Sequence, residues 1–376
     1  MLKRVQHDER TMPITYKDAG VSYASLDPAK ILASKAAAKT GKNLGQHGVQ
    51  ELAESRGESA YVFKIGNTLM ATVIEGLGTK HLVADAMRKI THKTYYDAIA
   101  YDTVGCVLND LVSVGAQPLV IHAYWGVGSS DWFEDKPRIR DFVNGWKKAC
   151  DDAGASWGGG ETPTNKGIVD SERIDLAGSA VGIIRKPKQL ITEKKMKTGD
   201  HVLLLKSSGI NANGLTLARK ISESLPKGYA TKLPSGQMYG EALLKPQHLY
   251  AKLVNALLDQ NIDIHYIANI TGHGWRKIMR ARGVFTYRMR KIPDCGELFR
   301  FIQDHAELND EQMYGTFNMG ADYAIILPGH AVAKAQSIIK KLKFDSLDAG
   351  VVEKGKKQVI IEPLNIAFGG ETLALR

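Results

Sequence analysis

Asn109 and Asp110 interrupt a stretch from Thr103 to Pro118 that is otherwise largely apolar or made of small residues. An ionised carboxylate in a segment that tends to be buried is costly unless a cation or a hydrogen-bond donor meets it. Other carboxylates also stand at the edges of apolar segments, and Mg²⁺ accepts a few such hard oxygen ligands from separate loops. Taken alone, each also fits a cap or a surface charge. Together they predict a metal site formed by Glu75, Asp110 and Glu161.

Glycine loops accompany these carboxylates. They are Glu75-Gly-Leu-Gly-Thr-Lys80, Gly158-Gly-Gly-Glu-Thr162, Ser207-Ser-Gly-Ile-Asn-Ala-Asn-Gly214 and Thr271-Gly-His-Gly274. Glycine allows backbone N–H groups to approach phosphate oxygens closely, although each glycine alone also fits an ordinary turn. The joint pattern predicts a site for metal and polyphosphate.

The elements that must position these loops alternate between strands and helices. Gly66-Asn67 between two apolar runs predicts a hairpin, and the second strand carries Glu75 at its end. Apolar periodicity predicts the other elements as well. The predicted strands are 61–65, 68–74, 119–124, 174–184, 201–205, 264–268, 322–327 and 358–361, and the predicted helices are 95–114, 136–153, 215–223, 247–259 and 331–342.

This alternation predicts an α/β fold of layered helices and sheets. The chain has 376 residues, which favours two domains. A polar, Lys-rich stretch over 187–199 places the boundary, so we predict domains over 1–190 and 191–376. The tail around 368–370, with its Gly-Gly pair, is predicted to be loose.

Composition excludes several classes of protein. The formal charge is +10, but Lys and Arg are scattered without an aromatic-interleaved stripe, so we predict no nucleic-acid partner. No apolar run approaches the roughly 20 residues that span a bilayer, and the first ten residues lack the apolar core of a signal peptide. We therefore expect no membrane partner and a cytoplasmic location. The cysteines Cys106, Cys150 and Cys295 lack metal-ligand spacing and are predicted to be free thiols.

Common nucleotide-binding motifs are absent from the chain. It contains no G-x-x-x-x-G-K-[S/T], no G-x-G-x-x-G that opens a helix after a strand, and no G-x-S-x-G. Any nucleotide site must therefore use a different arrangement of glycine loops and carboxylates.

Those loops resemble the motifs of the aminoimidazole ribonucleotide synthetase family, also called phosphoribosylformylglycinamidine cyclo-ligases. The resemblance runs along most of the chain and begins at Thr15-Tyr-Lys-Asp-Ala-Gly-Val21. Glu75-Gly-Leu-Gly-Thr-Lys80 is similar to the family's D-G-V-G-T-K loop. Further matches are Asn109-Asp-Leu111, Gly158-Gly-Gly-Glu-Thr162, 207–214, 265–274 and Tyr314-Gly-Thr-Phe-Asn-Met-Gly320.

The resemblance implies a fold and a reaction. The fold has an N-terminal domain that pairs across a homodimer to form a central β-barrel, and a C-terminal α/β domain that closes over the site. The reaction uses ATP and Mg²⁺ to activate the formamide oxygen of a small ribonucleotide, formylglycinamidine ribonucleotide. A neighbouring nitrogen then attacks, phosphate leaves and the imidazole ring of purine biosynthesis closes.

The resemblance also implies roles for individual residues. Lys17 and Asp18 fall in a segment that contacts nucleotide, and Lys80 is expected to neutralise phosphate. Asp102 and Asn109 are expected to order the metal shell by hydrogen bonds. The remaining predicted nucleotide contacts come from the glycine loops: Gly76, Gly78, Thr79, Gly159, Gly160, Asn213, Gly214, Thr271, Gly272 and His273.

The chain departs from the family pattern at several points, and the departures keep alternatives open. The family continues G-G-E-T with A-E-M-P, whereas this chain has Pro163-Thr-Asn-Lys-Gly167. Asn211-Ala212 replaces His-Ser, His273 replaces Gly, and Glu75 replaces Asp. One alternative is a divergent member of the wider superfamily, which includes thiamine monophosphate kinase, that phosphorylates a different small acceptor. Another is a catalytically silent dimer that serves as a binding protein.

Overall fold

The computed structural model describes residues 23–373, and over that range two β-sheets each pack with helices. The predicted mixed α/β fold is confirmed. The strands are β1 Val49–Glu51, β2 Tyr61–Ile65, β3 Thr68–Gly76, β4 Gln117–Val127, β5 Ser156–Glu161, β6 Ile174–Ile184, β7 Asp200–Lys206, β8 Tyr266–Asn269, β9 Phe285–Met289, β10 Ala321–Pro328, β11 Ser346–Lys354, β12 Gln358–Ile361 and β13 Ile366–Gly369. The helices are α1 Tyr23–Thr40, α2 Lys80–Thr91, α3 Tyr96–Val112, α4 Lys136–Ala153, α5 Leu215–Ser224, α6 Tyr239–Leu243, α7 Ala251–Asp259, α8 Glu297–Ala306, α9 Asp310–Tyr314 and α10 Val332–Lys341.

The first sheet has the strand order β1-β2-β3-β6-β4-β5, antiparallel except for the parallel pair β4–β5. Gly66 turns the β2–β3 hairpin with a φ of 55°, a conformation that glycine adopts without strain. Helix α3 packs on β3, β6 and β4 and also against α4. It is buried along most of its length, including the polar residues Asp102, Asn109 and Asp110. The sheet therefore delivers Glu75 at the end of β3 to the side on which α3 carries Asp110.

The opposite face of the first sheet is less well covered. In β6, buried side chains alternate with half-buried or exposed ones, as expected when only one face lies against a core. Val181 and Ile183 are only half-buried, and Ile74 of β3 is 74% exposed. The sheet therefore presents an apolar face away from α3.

The second sheet has the order β13-β12-β9-β11-β7-β10-β8. All eight residues of β10 are buried, which fits a central strand with packing on both faces. The expectation of a loose tail around 368–370 is wrong. Ile366–Gly369 forms β13, which pairs antiparallel with β12, and Phe368 is buried. The apolar side chains on either side of the strand's alanine stabilise this edge despite the following Gly-Gly pair.

The two sheets meet at α3. The segment 245–250, which precedes α7, lies along α3. Asp102 accepts a hydrogen bond from it and Asn109 donates one to it. In the part of the chain that is described, no helix combines the length and apolar character needed to cross a membrane.

Candidate active site

Glu75 and Asp110 lie side by side and line one cavity of about 460 Å³. Their carboxyl groups share a hydrogen bond, and removal from water, followed by the charge of Asp110, raises the pKa of Glu75 to about 7. Asn269 at the end of β8 donates to Asp110 Oδ1 at 2.7 Å and so orients that carboxylate. Two carboxylates this close either share a proton or bind a cation between them. A pair of this kind can serve as ligands of a divalent metal ion.

Two cations line the same cavity, and the sequence analysis missed both. Lys277 and Arg280 lie on and just after the 3-10 helix Gly274–Met279, at a spacing of three residues that places them on one side. Burial and the charge of Arg280 lower the pKa of Lys277 to about 8, while Asp110 and Glu75 oppose this shift. The available signal was the basic segment directly after Thr271-Gly-His-Gly274, which no common motif covers.

A smaller cavity of about 80 Å³ continues from Glu75 and Asp110 into the junction of the two domains. It brings together several predicted residues, Gly76, Asn109, Asn213 and Thr271. Asn213 Oδ1 accepts a hydrogen bond from the Gly272 backbone N–H at 3.1 Å, which joins two glycine loops of the second domain. The structure brings these loops together, and their contact with a nucleotide stays a prediction.

Two other loop positions, Gly214 and His273, have backbone conformations with a positive φ. Gly214 has a φ of 80°, and a Cβ atom there would lie 2.2 Å from the ring of Phe317, so glycine is required. His273 is buried with a φ of 69°. Burial and the neighbouring Arg276 and Lys277 lower the pKa of His273 to about 3, so this histidine is neutral and offers no charge to a phosphate.

Lys80 does not lie where a phosphate contact requires it. It is fully buried, and its ammonium forms an ion pair with Asp102 at 2.5 Å and donates to the Lys245 carbonyl at 2.9 Å. Gly78 and Thr79 form the turn between Glu75 and α2, and Gly78 has a φ of 73°. Lys80 therefore leaves the loop toward the protein interior.

Asp102 and Asn109 also contact the second domain. Asp102 Oδ1 accepts from the Gln247 backbone N–H at 2.7 Å. Asn109 donates to the His248 carbonyl at 2.8 Å and accepts from the Tyr250 N–H at 2.9 Å. In the described part of the chain these side chains bind segment 245–250, so they connect the domains. The expected role of ordering the metal shell stays a prediction.

Glu161 lies outside the cavity of its own chain. It ends β5, an edge strand, and is exposed. Two strands separate β5 from β3, so Glu161 is about three strand spacings, roughly 14 Å, from Glu75. Gly160 must be glycine, since a Cβ atom there would lie 2.4 Å from the Ala123 carbonyl oxygen of β4, and Gly159 has a φ of 109°.

The predicted triad is therefore not assembled within one chain. Among residues 23–373 no group of three or more His, Cys, Asp or Glu side chains is placed to hold a metal ion. Lys17 and Asp18 lie outside the described residues.

Asp322 is a buried carboxylate in the smaller cavity that the sequence analysis passed over as part of an apolar strand. It accepts hydrogen bonds from Asn211 at 2.6 Å and from the Tyr250 hydroxyl at 2.9 Å. Burial nevertheless raises its pKa to about 7, with the charge of Asp102 adding to the effect. Asn211, which stands where the family has His, thus donates a hydrogen bond to the buried carboxylate of Asp322 at the domain junction.

Asp322→Asn is expected to change how stability depends on pH. Between about pH 4 and 7 the native state holds a proton on Asp322 that the unfolded chain has lost, so stability falls as pH rises. Relative to Asp322→Asn, the wild-type free energy of unfolding should therefore decrease by about 2 kcal/mol from pH 5 to pH 8. Urea denaturation at several pH values measures this. Parallel pH profiles for the two proteins would contradict the assignment.

A two-domain α/β architecture with a polar cavity at the junction is that of the AIR synthase related proteins. The N-terminal domain of that family matches residues 57–184, and the C-terminal domain matches residues 197–362. The chain belongs to this family, as its loop motifs predicted.

Particular relatives align over nearly the whole chain. The phosphoribosylformylglycinamidine cyclo-ligase of Pyrococcus furiosus is 31% identical over 363 residues, which cover 94% of this chain and 99% of the relative. The cyclo-ligase of Thermococcus kodakarensis is 33% identical over 340 residues, which cover 90% and 95%.

Solved structures share the fold at low identity. A chain in the crystal structure of a HypE–HypF complex has a TM-score of 0.57 at 19% identity, and the alignment covers 80% of this chain and 88% of that one. AaThiL complexed with AMPPCP and TMP has a TM-score of 0.55 at 16% identity and covers 82% and 89%. These likenesses support the two-domain fold.

Proposed function

We propose that this protein is an ATP-dependent cyclo-ligase that converts formylglycinamidine ribonucleotide to 5-aminoimidazole ribonucleotide, with release of ADP and phosphate. The observation that carries the proposal is the Glu75–Asp110 pair, which lines one cavity together with Lys277 and Arg280. The chain that builds this cavity aligns end to end with curated cyclo-ligases. We place the reaction in the cytoplasm and the domain boundary near residue 190.

The reaction needs a good leaving group where the substrate has a poor one. ATP transfers its terminal phosphoryl group to the formamide oxygen. A neighbouring nitrogen then attacks the formamide carbon, and phosphate leaves as the ring closes. Positioning and charge neutralisation are the main tasks of a protein in phosphoryl transfer. A cavity with separate acidic and basic sides suits these tasks.

Mg²⁺ fits the acidic side of the cavity. Glu75 and Asp110 would hold the ion, and the hydrogen bond from Asn269 keeps one Asp110 oxygen oriented while the other stays available. The raised pKa of Glu75 fits a ligand whose charge is best compensated by a cation. Bound there, Mg²⁺ would neutralise phosphate oxygens.

The test is the reaction itself. Purified protein with ATP, Mg²⁺ and formylglycinamidine ribonucleotide should yield a diazotisable aminoimidazole. ATP consumption with a different acceptor and no such product would instead support the divergent kinase. The altered segment Pro163–Gly167 after Glu161 is the feature that favours this second candidate. Absence of any thermal stabilisation by Mg²⁺ and ATP would support a silent binding protein.

We further propose that the active unit is a homodimer in which Glu161 completes the site of the partner subunit. Two features support this: the apolar face of the first sheet that carries Ile74, and the position of Glu161 on an exposed edge strand far from Glu75. An exposed apolar sheet face is a common interface between copies of a chain.

A mixing experiment tests the shared site. Asp110→Asn and Glu161→Gln should each be inactive. When the two are unfolded together and refolded, half of the dimers are mixed, and each mixed dimer contains one site with Asp110 and Glu161 both intact. Activity should therefore recover to about a quarter of the wild-type value. No recovery, in a mixture shown by mass spectrometry to contain mixed dimers, would contradict the shared site.

A further inference from the structure

Lys80, which the glycine loop places next to the site, already has an ion-pair partner. Lys80 is fully buried, and its ammonium contacts Asp102 at 2.5 Å. If Lys80 turned toward the cavity of Glu75, it would leave the Asp102 carboxylate buried without a cation, which is strongly unfavourable. The nucleotide cavity therefore needs a different cation.

Lys277 is a cation of that kind. Its side chain is half-buried and lines the cavity of Glu75 and Asp110. Within the part of the chain that the structure describes, its ammonium forms no hydrogen bond and no ion pair within 4.0 Å. Withdrawing a charged group from water without a partner is costly, so a stable fold retains such a group where a ligand meets it.

Arg280 supports Lys277 from the side. Its guanidinium donates to the Gly57 carbonyl at 3.1 and 2.9 Å and to Ser59 Oγ at 2.9 Å. These partners are neutral and hold the side chain in the wall of the cavity, which Glu58, between Gly57 and Ser59, also lines. The basic side of the cavity thus carries two positive charges in defined places.

Side chains of both charges line this cavity. Oppositely charged side chains that only stabilise a fold usually form an ion pair, yet Lys277 and Arg280 share a cavity with Glu75 and Asp110 and form none with them. The space between them, about 460 Å³, suits a ligand that carries both signs. A polyphosphate with its divalent cation has this charge pattern.

We propose that Lys277 contacts the terminal phosphate of the bound nucleotide and is a catalytic residue of the phosphoryl transfer, whereas Lys80 stabilises the junction of the domains through Asp102. This inference rests on the proposed function. As the bond from the terminal phosphorus to the bridging oxygen breaks and the bond to the formamide oxygen forms, Lys277 keeps its protons and neutralises the transferring group. The same ammonium stabilises the phosphate that leaves when the ring closes.

The protonation state of Lys277 agrees with this role. Its pKa of about 8 keeps the ammonium form dominant at pH 7, and an adjacent phosphate would raise the pKa again.

Lys277→Met tests the inference. We expect kcat to fall about 100-fold and the affinity for Mg²⁺–ATP to fall about 10-fold, because charge neutralisation in phosphoryl transfer is worth factors of this size or more. The melting temperature without ligand should stay at or above the wild-type value, since the substitution removes an unpaired charge. Lys277→Arg should recover part of kcat.

The matched control is Lys291→Met, an exposed lysine two residues after β9, which should behave as wild type. Wild-type binding of Mg²⁺–ATP, measured by calorimetry, separates the two levels of inference. If the wild type binds and Lys277→Met keeps kcat within threefold, the role of Lys277 is wrong and the proposed function stands. If the wild type does not bind Mg²⁺–ATP, the proposed function fails and this inference fails with it.

Discussion

Lys80→Met is expected to lower the free energy of unfolding by about 3–5 kcal/mol, because it leaves a buried carboxylate without its cation. Asp102 is fully buried, and burial already raises its pKa against the opposing charge of Lys80. The substitution also removes the hydrogen bond to the Lys245 carbonyl that connects the start of α2 to the second domain. Urea denaturation at pH 7 measures the loss.

Two comparisons make this result specific. Lys147→Met breaks an exposed ion pair with Asp151 and should leave the denaturation midpoint nearly unchanged. Adding Asp102→Asn to Lys80→Met should recover part of the lost stability, because the amide can still accept from the Gln247 N–H without carrying a charge. If Lys80→Met were no more harmful than Lys147→Met, the buried ion pair would have no structural importance.

Asp110→Asn is expected to remove metal-dependent nucleotide binding while the fold stays intact. The asparagine oxygen can still accept the hydrogen bond from Asn269, so the local packing is preserved. The loss of one of two adjacent carboxylates removes a charged ligand from the proposed ion. At an ATP concentration about 100 times Kd, the wild type should gain roughly 2.7 kcal/mol of stability, and the variant should gain almost none.

Thermal unfolding with and without Mg²⁺ and ATP measures this effect. Asp304→Asn, at an exposed position of α8, is the control and should keep the full ligand-induced shift. Without ligand, Asp110→Asn should be at least as stable as the wild type, because the carboxyl of Glu75 loses its charged neighbour. An unchanged shift in Asp110→Asn would exclude Asp110 as a metal ligand.

The two variants separate two kinds of charged pair in one domain. The Lys80–Asp102 pair is closed, since each charge has its partner and segment 245–250 supplies the remaining hydrogen bonds. The Glu75–Asp110 pair is open, because its charges lack a contacting cation in the described chain and face a cavity. The first kind stabilises the fold, and the second kind is suited to a ligand.

Local pattern in the sequence determined much of the secondary structure. The helix predicted over 136–153 and the strand over 174–184 have those bounds in the structure, and the hairpin at Gly66 is present. These elements have strong periodicity and clear caps, such as Asp135 before α4 and Gly154 after it. Periodicity is a property of neighbouring residues, so it can be recognised without the fold.

Pairing between distant segments could not be predicted in the same way. The short strand β13 was missed because its Gly-Gly neighbour suggests a loop, and only its pairing with β12 makes it a strand. Helix α2, which begins at Lys80, was also not predicted, although its start decides where that lysine points.

In the candidate site, too, some features follow from local sequence and others only from the tertiary structure. The sequence determined that Glu75 and Asp110 are carboxylates at the edges of apolar elements, and the structure brings them together in one cavity. It also determined the family through its glycine loops. Only the tertiary structure decided which lysine faces the cavity, because a long flexible side chain can turn to either side of a loop and its direction depends on the partners that packing brings.

Tertiary structure likewise decided the position of Glu161. The residue type and its glycine loop are visible in the chain, but the strand order places β5 at the edge of the sheet, away from Glu75. Strand order is set by packing among segments far apart in sequence, and no local pattern encodes it. The sequence therefore determined the chemical groups of this protein, and the fold determined which of them can act together.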